Sequence, residues 1–260
     1  YHNEQLKSLS RYRFSKVRER AVLKQQLARL VNILFPELEK LVPSLHLSSV
    51  YALLEQFPGA SYVANAHLTK LTNLLSSSSS GHYKKEKAIQ IRNAAVSSVG
   101  CIMPAKSLEL RHTVALIRVL SEEIEEIETE IKKLMDELHS PITSIPGISY
   151  RMAAMILSEI GDFSNFDSPD KILAFAGLSP STYQSGKLDN AYSHMEKRGS
   201  KYLRYALFTA ATYVCIWDKT FSDYLHKKLA EGKHYYVALS HAIKKLVRVI
   251  YALQTTGQTY

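Results

Sequence analysis

Between Ile172 and Arg204 the chain reads ILAFAGLSPSTYQSGKLDNAYSHMEKRGSKYLR. One hydroxyl, Ser185 beside Gly186, stands about a loop length ahead of Lys197 and Arg198, with Gly199 and Arg204 following. An apolar helical turn (Ile172, Leu173, Phe175) is stopped by Gly177, Pro180 falls in the loop, and a new helix starts at Ser200. A hydroxyl on a glycine-flanked loop can come close to a ligand. Cations near it can hold phosphate oxygens as negative charge builds during phosphoryl transfer. These residue types suit a place that meets a phosphodiester. An alcohol needs a base or a metal to act as a nucleophile at neutral pH. His194 stands close enough in sequence to be that base, while a histidine exposed in a polar loop is the plainer reading. Ser-Gly is also a common turn pair. Two functions therefore stay open: part of an enzyme with Ser185 as nucleophile, or a non-catalytic nucleic-acid-binding and oligomerisation module in which Ser185 only makes a turn.

Metal catalysis would require carboxylates that converge, and no such set is legible. Asp162, Asp167 and Asp170 are close together, but Asp170 follows the helix-start pair Ser168-Pro169 and the other two fit a polar loop. No metal site is expected in this chain. Cys101 and Cys215 are too far apart in sequence to suggest a disulfide framework or a metal knuckle, which fits a reducing cytoplasm. No apolar run approaches the roughly 18 residues a bilayer span needs, and no leader pattern is present, so no membrane partner is expected. The net charge of +9 favours a polyanionic partner, because clustered Lys and Arg release the counterions condensed on nucleic acid.

With 46% apolar residues in 260, and only ten glycines and eight prolines, a mainly α fold is expected. The pattern divides into a helical region over 1–140 and a C-terminal domain over 141–260. The first region opens with one long helix, Tyr1 to Leu34, ended by Pro36. Arg11 and Arg13 lie in its basic first part, interleaved with Tyr12 and Phe14; a solvated face and a nucleic-acid backbone contact both fit that run. Ser48-Ser49 reads as a cap for Val50 to Phe57, Ser76 to Ser80 as a flexible exposed link, and Tyr83 to Val99 as a further helix. From Lys106 to His139, Leu110, Ile117, Ile124, Ile131 and Leu138 fall seven apart, with Leu120, Ile127 and Leu134 in the complementary position. This predicts a coiled-coil helix whose crowded glutamates (Glu122, Glu123, Glu125, Glu126, Glu128, Glu130) prefer a basic partner helix. An antiparallel pair within the chain and a pairing between subunits both satisfy the heptads.

In the C-terminal domain, Ile145-Pro146-Gly147-Ile148 opens a helix in a manner like half of a helix-hairpin-helix module. There, amides at a glycine-containing turn and a helix N-terminus meet a phosphate. Gly147 and Ser149 are the candidate contacts, with Ser149 in place of a second glycine. Ser200 to Trp217, Lys219 to Ala230 and Tyr235 to Leu253 complete the helices.

The order of pieces, Ala-Gly-Leu-x-Pro, a polar spacer, Ser-Gly, a polar gap, then Lys-Arg-Gly-Ser and Leu-Arg, resembles the C-terminal domain of the IS one-ten insertion-sequence transposases, the bridge-RNA-guided recombinases. The likeness takes in SIPGISYRMAAMILSEIGDFSNF upstream and KKLVRVIYALQTTGQTY downstream, so it covers Ser144 to Tyr260. It implies that Ser185 is the serine that attacks DNA, that Lys197, Arg198 and Arg204 hold phosphate, and that a covalent phosphoserine link precedes strand exchange. DNA, a structured guide RNA and other copies of the chain are the implied partners. Members of that family also carry, ahead of the coiled coil, a nuclease-like domain whose Asp-Glu-Asp-Asp set holds magnesium. By that likeness Tyr1 follows the last of those acids, and the expectation is a C-terminal part with no cofactor of its own, Mg2+ belonging to the absent domain.

Overall fold

The structure, a computed structural model, describes residues 2–179, 184–185, 188–189, 195 and 197–260. These residues are mainly helical. The helices are α1 (His2–Leu34), α2 (Leu38–Leu41), α3 (Ser48–Gln56), α4 (Ala60–Ala64), α5 (Leu68–Ser78), α6 (Lys85–Val96), α7 (Pro104–Leu138), α8 (Tyr150–Ile160), α9 (Pro169–Phe175), α10 (Lys201–Trp217), α11 (Lys219–Ala230) and α12 (Tyr235–Thr256). Two short strands, β1 (Gln184–Ser185) and β2 (Leu188–Asp189), pair antiparallel with Ser185 opposite Leu188. The chain forms two compact units, Ser15–Glu125 and Tyr1–Phe14 with Glu126–Tyr260.

In the unit Ser15–Glu125, Leu27, Leu30, Val31 and Leu34 of α1 share a core with Leu53, Leu54, Leu71, Leu75 and Ile91 of the short helices and with Leu110, Val114 and Ile117 of α7. Lys16 pairs with Glu123 at 2.8 Å, Arg20 donates to the Ser121 hydroxyl at 3.1 Å, and Gln26 donates to Glu109 at 3.3 Å. Because the α7 number falls as the α1 number rises, the two helices run antiparallel within this unit, basic against acidic. Two local expectations are corrected. α3 begins at Ser48 itself, with Leu47 at the cap position and no side-chain cap bond. The serine run is not a free link at its start: α5 continues to Ser78, whose hydroxyl donates back to the Leu74 carbonyl at 2.6 Å. Such back-bonding lets serine satisfy itself inside a helix.

The other unit is built around α8, in which every residue from Met152 to Ile160 is buried. A helix apolar all round must be enclosed, and α10 and α12 contribute Leu203, Ala206, Leu207, Ala210, Leu239, Ile243, Leu246 and Ile250 to the same core. Each such Leu or Ile contributes about 1.5–3 kcal/mol on burial. From α7, Ile127, Ile131 and Met135 join this core, whereas Leu134 is only partly buried and Leu138 is 41% exposed. A straight helix lags a seven-residue repeat by about 20° per heptad. By the end of α7 the inward position has moved from Leu134 to Met135, and the seam read from spacing alone misses that drift. Ser168 occupies the position before Pro169 of α9, but its side chain makes no cap bond.

Candidate functional site

The two ends of the segment between α9 and α10, which carries Ser185, are fastened to each other. The Lys197 amide donates to the Gly177 carbonyl at 3.2 Å and the Ser200 amide to the Phe175 carbonyl at 3.1 Å. The chain crosses itself here through two glycines in conformations that side chains disfavour: Gly177 at φ +69° and Gly199 at φ +126°. A Cβ on Gly177 would overlap the Arg198 carbonyl oxygen, and one on Gly199 would overlap the Phe175 carbonyl oxygen. Arg204, one turn into α10, donates through Nη1 to the carbonyls of Ala176 at 3.0 Å and Lys197 at 3.2 Å, one on each side of the crossing. Lys197, itself at φ +54°, and Arg198 are exposed.

Ser200 caps α10 by accepting from the Leu203 amide at 3.1 Å and donates its own proton to Glu159 at 2.6 Å. Glu159 is only 3% exposed and receives Arg11 at both oxygens, 2.6 and 3.1 Å. The Arg11 guanidinium also lies 4.6 Å from the Tyr202 ring centre. Burial by itself would push the Glu159 carboxyl up; the hydrogen bonds from Arg11 and Ser200, with the charges of Arg11 and Lys7, outweigh it and hold the group below the ordinary glutamate range. Charge and period along the chain do not point to this buried triad. Its signal in the sequence is the lone acid in the apolar run MILSEI, because a buried carboxylate requires partners.

Other candidate residues are placed as follows. Arg13 donates to Glu128 at 2.7 Å, and Arg151 joins the same carboxylate at 3.1 Å. Gly147, at φ +93°, lies so close to α10 that a Cβ would meet the backbone of Tyr213 and Val214 at 2.7–2.8 Å. Ser149 is the α8 cap, accepting from the Met152 amide at 3.4 Å. The structure therefore gives Gly147 and Ser149 work in packing and capping, and engages Arg11 and Arg13 with carboxylates. The backbone of Ser185 is placed on β1; Gly186, His194, Pro180 and Lys187 lie outside the described residues. Among the described residues no group of three or more His, Cys, Asp or Glu gathers in a way that could hold a metal ion.

Beside the crossing lies a cleft of about 1010 Å³. Its floor is apolar and aromatic, with Leu173, Leu178, Tyr205, Phe208, Tyr236 and Val237, and its edges carry Lys197, Lys201, Arg204 and Lys244 against one acid, Asp170. Asp170 itself faces Lys244 at 3.9 Å and Arg248 at 3.8 Å. A smaller recess of about 270 Å³ continues along α12 between His241, Lys244, Lys245, Arg248 and Tyr224. Burial first, then the charges of Lys233 and Lys228, push the His241 imidazole below the ordinary histidine range. Cations outnumber acids along this face.

Residues 139–226 match the family model Transposase IS116/IS110/IS902. The chain is 29% identical over 136 residues to an insertion element IS110 protein of 43.6 kDa from Streptomyces coelicolor, covering 52% of this chain and 33% of that relative. It is 31% identical over 144 residues to the pilin gene-inverting protein of Moraxella bovis, covering 53% and 45%. A longer likeness, 22% over 256 residues, links it to an insertion element IS116 protein of 44.8 kDa from Streptomyces clavuligerus, covering 95% of this chain and 63% of the relative. The chain thus spans between a third and under two thirds of the length of these relatives. No helix among the described residues is long and apolar enough to cross a membrane.

Proposed function

We propose that this chain acts in DNA transposition or site-specific inversion, binding DNA on its electropositive face and supplying Ser185 as the nucleophile. The observation that carries the reading is the fastened crossing at Gly177 and Gly199. It brings the two ends of the Ser185 segment together beside exposed Lys197 and Arg198 and the cation-edged cleft. In the reaction, Ser185 Oγ attacks a DNA phosphorus and forms a phosphoserine ester. The bond to one bridging deoxyribose oxygen breaks, that oxygen leaves with a proton, and the serine proton passes to a base or solvent. Lys197 and Arg198 hold the non-bridging oxygens as charge accumulates. Attack by a second DNA end on the ester then restores the serine and completes strand exchange. The family match over residues 139–226 and the gene-inverting relative support the same class of reaction.

A structured RNA as guide, assembly of several copies and a cytoplasmic setting complete the proposal. For assembly, Leu108, Leu116 and Val119 of α7 are each about half exposed, and their spacing puts them in one stripe that a second helix could cover. Covalent trapping tests the central step. In the complete protein that carries this chain, a labelled DNA target should give a detergent-resistant protein–DNA adduct that Ser185→Ala abolishes, with DNA binding unchanged within about twofold. Recombination that proceeds normally in Ser185→Ala would leave the non-catalytic binding module as the correct reading.

A further inference from the structure

The cleft beside the crossing has a floor that phosphate contact alone does not explain. At the start of α12, Tyr235, Tyr236 and Val237 are 40%, 63% and 48% exposed in succession, and Tyr205 on α10 is 42% exposed. Exposed apolar side chains in succession mark a surface that a ligand or partner covers. The Tyr236 ring stands beside His234 at 5.9 Å in a stacked arrangement and edge-on to Tyr235 at 5.5 Å, so its plane is set by its neighbours. Around this floor stand Lys197, Lys201 and Lys244.

A cationic rim over an aromatic floor has two chemistries in one site, a charge for phosphate and a flat apolar face for a ring. Paired bases hide their faces inside the helix stack and offer a protein only their edges and their phosphates. Only a strand whose bases are unstacked can use both parts of this cleft. Its volume, at the upper end of the roughly 300–1,000 Å³ of small-ligand pockets, suits a nucleotide or two. We infer that the cleft receives an unpaired stretch of DNA, one base stacking on Tyr236 and the adjoining phosphates lying against Lys197, Lys201 and Lys244. This rests on the DNA-binding reading above and names the form of DNA that the cleft takes: an unpaired strand.

The test uses the 260-residue chain with a fluorescent fifteen-nucleotide oligo-dT, the matching duplex and oligo-U of the same length. Oligo-dT should bind more tightly than duplex, and Tyr236→Ala should weaken oligo-dT by about tenfold while duplex binding stays within about twofold. Tyr236→Trp should restore oligo-dT binding, and in a Trp217→Phe background its indole fluorescence should be quenched on adding oligo-dT. Because Tyr236 is exposed, these variants fold as the parent does. Equal losses on single strand and duplex, unquenched indole fluorescence, or binding of oligo-U in place of oligo-dT would each overturn the inference while leaving DNA binding standing. A chain that bound neither form of DNA would overturn the broader functional reading as well.

Discussion

Gly177 and Gly199 face each other where the chain crosses itself, so close that a Cβ on Gly199 would lie 3.1 Å from the Gly177 amide nitrogen and overlap the Phe175 carbonyl. Backbone packed on backbone at this distance leaves no room for any side chain on the facing sides. The crossing therefore fastens residues 175–177 to residues 197–200.

Gly199→Ala should accordingly be costly, since it adds an overlap to the ~1–2 kcal/mol of a left-handed alanine, for a total of about 2–4 kcal/mol. Gly232→Ala is the control: it too has positive φ, +78°, but nothing lies within 4 Å of its added Cβ. It should cost only about 1–2 kcal/mol. Urea unfolding of both variants measures the difference.

Arg204 and Lys197 should separate structure from binding. Arg204→Ala frees two carbonyls at the crossing and should lower stability by about 1–3 kcal/mol. Lys197→Ala removes an exposed charge and should leave stability nearly unchanged. It should weaken DNA binding and reduce the slope of log affinity against log salt by about 1. Fluorescence anisotropy at several salt concentrations reads the slope, and thermal melts read the stability.

The Arg11–Glu159–Ser200 triad predicts an acid sensitivity. Since the folded Glu159 carboxyl lies below its ordinary value of 4.5, its contribution is fully present above pH 4.5. It is lost as the pH falls below that value through the depressed folded one. Glu159→Gln removes the charge partner of Arg11, whose half-exposed guanidinium can turn to water, and should cost about 1–3 kcal/mol near neutrality. The cost should shrink as the pH is lowered, which denaturant titrations at pH 7 and pH 4 compare.

The drift of the α7 seam makes a contrast between two residues that look equivalent in the heptads. Ile117, fully buried, should lose about 2–4 kcal/mol when cut to Ala. Leu138, 41% exposed at the helix end, should change stability by no more than about 0.5 kcal/mol. Equal effects in chemical unfolding would contradict the observed packing.

The two thiols should differ sharply. Cys101 is exposed, while burial, with Asp218 nearby, pushes the Cys215 thiol up to about 11. At pH 8 a thiol reagent should modify one cysteine quickly in the native chain and the second only after denaturant is added. Fast labelling of both in native buffer would show that the α10 core opens.

The helical class, the extent of α1, the break at Pro36 and the acidic and basic character of α7 and α1 were legible because they depend on spacing and charge along one segment. The match of basic Lys16 to acidic Glu123 was foreseeable as a type of contact, though not as those two residues. What only the tertiary structure decided is where side chains are spent. Arg11 and Arg13 read in the sequence as a solvated face or a nucleic-acid contact and Arg204 as a phosphate contact; the fold brings each a carboxylate or carbonyl from a distant position. Gly147 reads in the sequence as a turn before a helix, and only the fold shows that it is seated against α10. A one-dimensional pattern records charge and period, both local quantities; whether a cation meets water, a phosphate or a buried acid depends on which helices pack together. The core sets that packing through contacts that no single segment contains.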